Sequence, residues 1–219
     1  DLIEVGIPFS DPIAEGPVIQ EANERALAAG CTIDRLFETV KRARESGVSV
    51  PMVFLTYVNP IVTYGAEKFM ERCNECGMQG LIVPDLPFEE KGEIAAVCRA
   101  HGIDIISMIA PTSEERIKMI AKEAAGFLYV VSSLGVTGVR AAITTDIDAM
   151  LRLVREASDI PAAVGFGIAT PEQARTMAEK SDGAIVGSAI VKLVAKHGRD
   201  CIQPVTDYVK SLAGAVHGI

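Results

Sequence analysis

Three acids stand within Glu4–Glu15: Glu4, Asp11 and Glu15, in the run EVGIPFSDPIAEGP. Glu4 is the unusual one, because it interrupts the apolar stretch Leu2–Val5. A carboxyl held in an apolar mouth is pushed toward its protonated form, which suits a group that must give and take a proton near neutral pH. The plainer reading is a surface acid at a strand end. Further on, SSLGVTGVR (Ser132–Arg140) sets two glycines around Thr137. Such a loop can close over a ligand, or it can be an ordinary connection. Gly165-Phe166-Gly167-Ile168 and Gly187-Ser188 follow the last two apolar runs, and the second leads into a helical pattern from Ala189. Backbone N–H groups ahead of a helix N-terminus suit an anion such as phosphate.

Other chemistries find no residues. The three histidines, His101, His197 and His217, fall in helical or terminal segments, with no carboxylate at metal-ligand spacing. No His stands at a strand end for a Ser–His–Asp arrangement. Lys192 belongs to a helical pattern, so a Schiff-base lysine is not expected. Cys31, Cys73, Cys76, Cys98 and Cys201 are an odd, sparse set and read as free thiols of a cytosolic protein. Cys73 and Cys76 form one isolated CxxC on a helical pattern, read as two packing positions three apart.

The elements that would carry these groups alternate. Short apolar runs predict strands at Leu2–Val5, Met52–Tyr57, Gly80–Val83, Ile105–Ile109, Phe127–Val131, Ala162–Gly165 and Ala184–Val186. Most lack two-residue alternation, as parallel strands buried on both faces do. Amphipathic patterns between them predict helices at Ile19–Ala29, Ile33–Ser46, Gly65–Cys76, Phe88–His101, Ser113–Glu123, Thr145–Ala157, Pro171–Lys180, Ala189–Lys196 and Ile202–Ala215. Thr170-Pro171-Glu172 is a complete start signal of cap, first-turn proline and first-turn acid. The alternation means α/β with a parallel sheet, either open and doubly wound or closed into a (β/α)8 barrel. A barrel of about 250 residues allots roughly 31 to each unit, so seven units need about 219. The 219 residues therefore suit a barrel without its first βα unit. The chain starts at Asp1, without Met, on a strand already under way, and is expected to lack its natural beginning.

Composition narrows the partners. With 49% hydrophobic and 23% charged residues, the chain is expected to form one globular domain over residues 1–219, not a disordered one. No stretch of 18 apolar residues occurs, so no membrane-spanning helix is expected. The net charge is −8, the basic residues are scattered, and Trp is absent, which argues against nucleic acid and anionic lipid as partners.

Five runs carry a family resemblance: EVGIPFSDPIAEGPVIQ (Glu4–Gln20), VPDLPFEE (Val83–Glu90), YVVSSLGVTGVR (Tyr129–Arg140), GFGI (Gly165–Ile168) and VGSAIVK (Val186–Lys192). Together they resemble the tryptophan synthase α subunit family, over the whole chain. The resemblance implies a (β/α)8 barrel that cleaves indole-3-glycerol phosphate to indole and glyceraldehyde 3-phosphate by a retro-aldol reaction without cofactor or metal. By motif, Glu4 matches the family's acid/base carboxylate. Glu15 falls where the family's SDPxADGP motif has its second catalytic acid, usually Asp; Glu is one methylene longer and loses more rotamer entropy when fixed. Tyr129 matches a substrate-site tyrosine and Thr137 the closing-loop threonine. Gly138, Gly167, Gly187 and Ser188 match phosphate binders, while Leu55, Ile109 and Phe166 match the apolar indole pocket. Asp11 and Pro12 lie in the loop that meets the family's β subunit. Two rivals stand beside this reading. One is a phosphate-binding barrel isomerase, which would show half-barrel repeats that this chain lacks. The other is a noncatalytic partner of a β subunit, which the presence of Glu4 disfavours.

Overall fold

The computed structural model describes residues 1–131, 146–165 and 167–218. They divide into two compact units. The first comprises Asp1–Ile13 and Asn23–Ile106, the second Ala14–Ala22 and Ser107–Ile219. Each carries a four-stranded, wholly parallel sheet whose strands are neighbours in chain order. Parallel neighbours need crossover connections, which here are helical.

In the first unit the sheet runs β1 (Ile3–Gly6), β2 (Met52–Leu55), β3 (Gly80–Ile82) and β4 (Asp104–Ile105). Between β1 and β2 lie helices α1 (Pro17–Ala28) and α2 (Ile33–Glu45). Between β2 and β3 lie α3 (Val58–Tyr64) and α4 (Ala66–Glu75), and α5 (Gly92–Ala100) precedes β4. Phe37 of α2 meets Phe54 of β2 edge-on at 5.6 Å and Phe69 of α4 at 5.4 Å between ring centroids. Val5, Phe54, Leu81 and Ile105 of the four strands pack into this same cluster. Cys73 and Cys76 lie buried at the end of α4, and burial pushes both thiols up; it pushes the Cys98 thiol up to about 11.

The second unit orders β5 (Ser107–Ile109), β6 (Leu128–Val131), β7 (Ala162–Gly165) and β8 (Gly183–Ala184). Its helices are α6 (Glu114–Lys122), α7 (Ile147–Ala157), α8 (Pro171–Lys180), α9 (Ser188–His197) and α10 (Ile202–His217). The predicted start of α8 is a full capping box. Thr170 Oγ1 accepts from Gln173 N at 3.2 Å, and Gln173 Oε1 accepts from Thr170 N at 3.1 Å.

Several expectations need correction, among them that the strand predicted at Ala184–Val186 is Gly183–Ala184. The single strand at Ile105–Ile109 is two segments, so the described residues hold eight strand segments where seven were predicted. Ile106 N still donates to Leu81 O at 2.8 Å, while Ser107 opens a new pairing with Leu128. One continuous apolar run cannot reveal that its halves serve different ladders. The predicted strand Met52–Tyr57 stops at Leu55, and helix α3 follows at once. Pro60 hides this helix in the sequence; it occupies the first turn, where its missing N–H removes no intrahelical bond. The helix predicted over Phe88–His101 is a 3-10 turn at Phe88–Glu90 followed by α5. Finally, α9 starts at Ser188 with Gly187 as N-cap, one residue earlier than the pattern indicated.

Arg44 secures the amino-terminal side of the first unit. Its guanidinium donates to Val48 O (3.0 Å), Val50 O (2.6 Å), Gly77 O (2.7 Å) and Gln79 Oε1 (3.1 Å). The Gln79 oxygen in turn accepts from Met52 N at 2.7 Å, so one cation ties the chain entering β2 to the chain entering β3. Arg44→Ala is expected to destabilise the protein by about 2–3 kcal/mol, read by urea unfolding. Lys, a point donor, is expected to restore less than half of that.

Candidate active site

Parallel ladders place paired residues on one face, so register tells where Glu4 points. Val5 pairs with Phe54 and Leu81 follows in line; these face the aromatic cluster of α2 and α4. Glu4 pairs with Val53, and Gly6 with Leu55. Alternation therefore sends Glu4, Leu55 and Ile82 out of the opposite face of the first sheet. The structure brings Glu4 and Leu55 together on that face, both half-buried. Beyond β1, Phe9 stacks against Tyr57 at 5.3 Å between centroids, with 33° between the rings. Asp11 is exposed and accepts a hydrogen bond from Ser10 Oγ, and Pro12 beside it is half-buried.

Tyr57 and Asp85 had no role in the sequence reading. Both were legible in principle: Tyr57 stands two residues after Leu55 at a strand end, and Asp85 stands in the VPDLP run after β3. The Asp85 carboxylate accepts from Val58 N at 3.0 and 3.3 Å.

In the second unit, Glu15 is 4% exposed, the one buried carboxylate among the described residues. Its segment is tied to α1: Gln20 Nε2 donates to Glu15 O at 2.7 Å, and Ile19 N and Gln20 N donate to Gly16 O at 3.0 and 3.1 Å. Tyr129 in β6 is buried and pairs with Ala163. Its phenol lies over Gly165, where a Cβ would stand 2.6 Å from the Tyr129 hydroxyl oxygen. Gly165 is thus glycine because the tyrosine ring occupies the space. Ile109 ends β5, fully buried, paired with Val130.

After β7, Gly167 has φ of +87°, which an L side chain rarely adopts. Its loop is held from two sides, since Ala169 N donates to Gln173 Oε1 at 2.8 Å and Tyr208 OH donates to Ala169 O at 2.7 Å. After β8, Gly187 caps α9; its carbonyl accepts from Ile190 N (2.9 Å) and Val191 N (3.1 Å). A helix leaves its first N–H groups unused by its own ladder, here from Ser188 onward. Among the described residues, nothing lies within 4 Å of where a Gly187 Cβ would stand, so they leave the backbone there open to an incoming group. Thr137, Gly138 and Phe166 lie outside the described residues.

Solved structures define the class. The tryptophan synthase alpha subunit of Legionella pneumophila superposes with a TM-score of 0.89 at 38% identity, over 100% of this chain and 82% of that one. A Pyrococcus furiosus structure, from work on mutual activation of the tryptophan synthase a2b2 complex, gives 0.85 at 35% identity over 97% and 86%. The fold class is the (β/α)8 barrel. The tryptophan synthase alpha chain of Lacticaseibacillus casei is 47% identical over 216 residues, spanning 99% of this chain and 81% of that protein. The family model for tryptophan synthase alpha chain matches residues 1–216. The chain belongs to that family.

Proposed function

We propose that this chain is an indole-3-glycerol-phosphate lyase, the α subunit of a tryptophan synthase, releasing indole and glyceraldehyde 3-phosphate. The observation that carries this reading is the register that turns Glu4 away from the aromatic cluster, onto the face shared with Leu55. Indole is a poor leaving carbanion, so its C3 must be protonated before the C–C bond breaks. The Glu4 carboxyl supplies that proton, and the carboxylate so formed takes the proton from the glycerol hydroxyl as the aldehyde forms. Glu15 accepts the indole N–H and so stabilises the positive charge of the protonated ring. The proton lost by the hydroxyl equals the one gained at C3, so the two carboxyls suffice without metal or redox cofactor.

The remaining assignments follow the same reading. Leu55, Ile109 and Phe166 are assigned to contacts with the indole ring, and Tyr129 to the substrate. Gly138, Gly167, Gly187 and Ser188 hold the phosphate, and Thr137 belongs to the loop that closes. Asp11 and Pro12 face a β subunit in an α2β2 assembly, of the kind described for the Pyrococcus furiosus relative. The chain works as one domain over residues 1–219, in the cytoplasm. Among the described residues, no helix is long and apolar enough to cross a membrane.

Indole release from indole-3-glycerol phosphate, with and without a β subunit, tests the reading; no release under either condition refutes it. The phosphate site has its own test. Gly187→Asp introduces a negative charge at the α9 N-terminus and is expected to raise KM for the phosphorylated substrate by about 10-fold or more, with kcat changed far less, because this binding is largely uniform between ground and transition states. An unchanged KM would show that the phosphate sits elsewhere.

A further inference from the structure

The carboxyl end of the first sheet contains an internal bond with no obvious reason in the local sequence. Helix α3 starts directly after β2, and its N-cap residue, Tyr57, makes no side-chain cap. The first N–H of the helix is capped instead from 27 residues away, by both oxygens of Asp85, at 3.0 and 3.3 Å. Asp85 is itself held in a short turn, in which Leu86 N donates to Val83 O at 3.1 Å and prolines stand at 84 and 87. Tyr57 is 2% exposed and has extended backbone, φ −117° and ψ 164°. Its ring stacks on Phe9, in the segment that leads from β1 toward Asp11 and Pro12. Strand β2 is bonded on both sides at this level, with Ile7 N to Leu55 O at 2.9 Å and Thr56 N to Ile82 O at 3.0 Å.

We infer that Asp85 is a positioning residue for the lyase reaction: its carboxylate pins the β2–α3 junction and so holds Leu55 against the substrate and Phe9, through Tyr57, at the foot of the β1 loop. The inference rests on the function proposed above. Asp85 does not touch the reacting atoms; it fixes the backbone from which Leu55 and Tyr57 project. Three successive strand ends, β1, β2 and β3, are thereby made to move together.

The test uses the full chain with a β subunit. Asp85→Ala removes the acceptor, whereas Asp85→Asn keeps one oxygen that can accept from Val58 N. Asp85→Ala is expected to let the Val58 amide exchange with solvent about 10 times faster or more. It should lower kcat about 10-fold or more while KM changes less than about 3-fold, because misplacing groups by an ångström costs rate rather than uniform binding. Asp85→Asn should recover most of both. Val58→Pro removes the same bond from the donor side, at a first helical position where proline is tolerated, and should lower kcat to the same extent. Normal kcat in Asp85→Ala or in Val58→Pro overturns the inference. So does an Asp85→Asn protein that is as slow as Ala but keeps Val58 protected, since the charge itself would then be acting. If the unmodified chain releases no indole, the function reading falls, while Val58 exchange still reports on the pin.

Discussion

Glu4→Gln lowers kcat for indole release by about 100-fold or more and leaves the unfolding midpoint nearly unchanged. Gln keeps the size and hydrogen-bonding oxygen of Glu but cannot donate and recover a proton, so it separates chemistry from packing. The position tolerates it structurally: Glu4 is half-buried, and its face of β1 is not the one packed against Phe37, Phe54 and Phe69. KM should move little, because the proton transfer is completed only in the transition state. Steady-state assay of purified full-length protein, beside thermal unfolding, decides it. Near-normal kcat in the Gln variant would remove Glu4 from the mechanism.

Gly165→Ala should damage both stability and catalysis, although it adds one methyl group to a backbone without positive φ. That methyl carbon would lie 2.6 Å from Tyr129 Cε1 and hydroxyl oxygen and 2.7 Å from Cζ. A phenol ring is rigid, and Tyr129 is buried in the ladder between Met108 and Ala163, so the ring must tilt or the strands must part. The expected cost is about 1–3 kcal/mol of stability, the usual penalty for overpacking. Moving a substrate-site tyrosine by an ångström should also lower kcat/KM by about 10- to 100-fold. Coupling provides the check. Combined with Tyr129→Ala, the glycine substitution should cost almost no further stability, because the ring it collides with is gone. Additive losses would mean that the tyrosine ring does not fill the space over Gly165.

Much of this protein was legible as sequence because the relevant signals are local. Thr170-Pro171-Glu172 announces the start of α8 by chemistry contained in three residues, and the structure adds Gln173 to complete a capping box there. The apolar runs and the helical patterns located most of the strands and helices, and an acid inside an apolar strand marked Glu4 as unusual. The motif runs pointed to the family that the relatives then established. Glycines after the last two strands, ahead of a helical pattern, pointed to an anion such as phosphate.

The tertiary structure decided whatever depends on residues far apart in the chain. Apolar residues flank Glu4 on both sides in Leu2–Val5, so nothing in that run says which way Glu4 points; the pairing of Val5 with Phe54 says it. The break at Ile106 exists because Ile106 bonds to Leu81 while Ser107 pairs with Leu128, partners 25 residues before and 21 after. Gly165 reads as the last residue of a strand with no stated reason to be glycine until the Tyr129 ring is seen above it, 36 residues earlier in the chain. Asp85 reads as a loop acid until its carboxylate is found on Val58 N, and Arg44 as a solvated helix residue until it is found on the carbonyls of Val48, Val50 and Gly77. In each case the residue type satisfies a local pattern equally well in many folds. What selects its role is a hydrogen-bonding or steric partner that only the ladder register brings within reach.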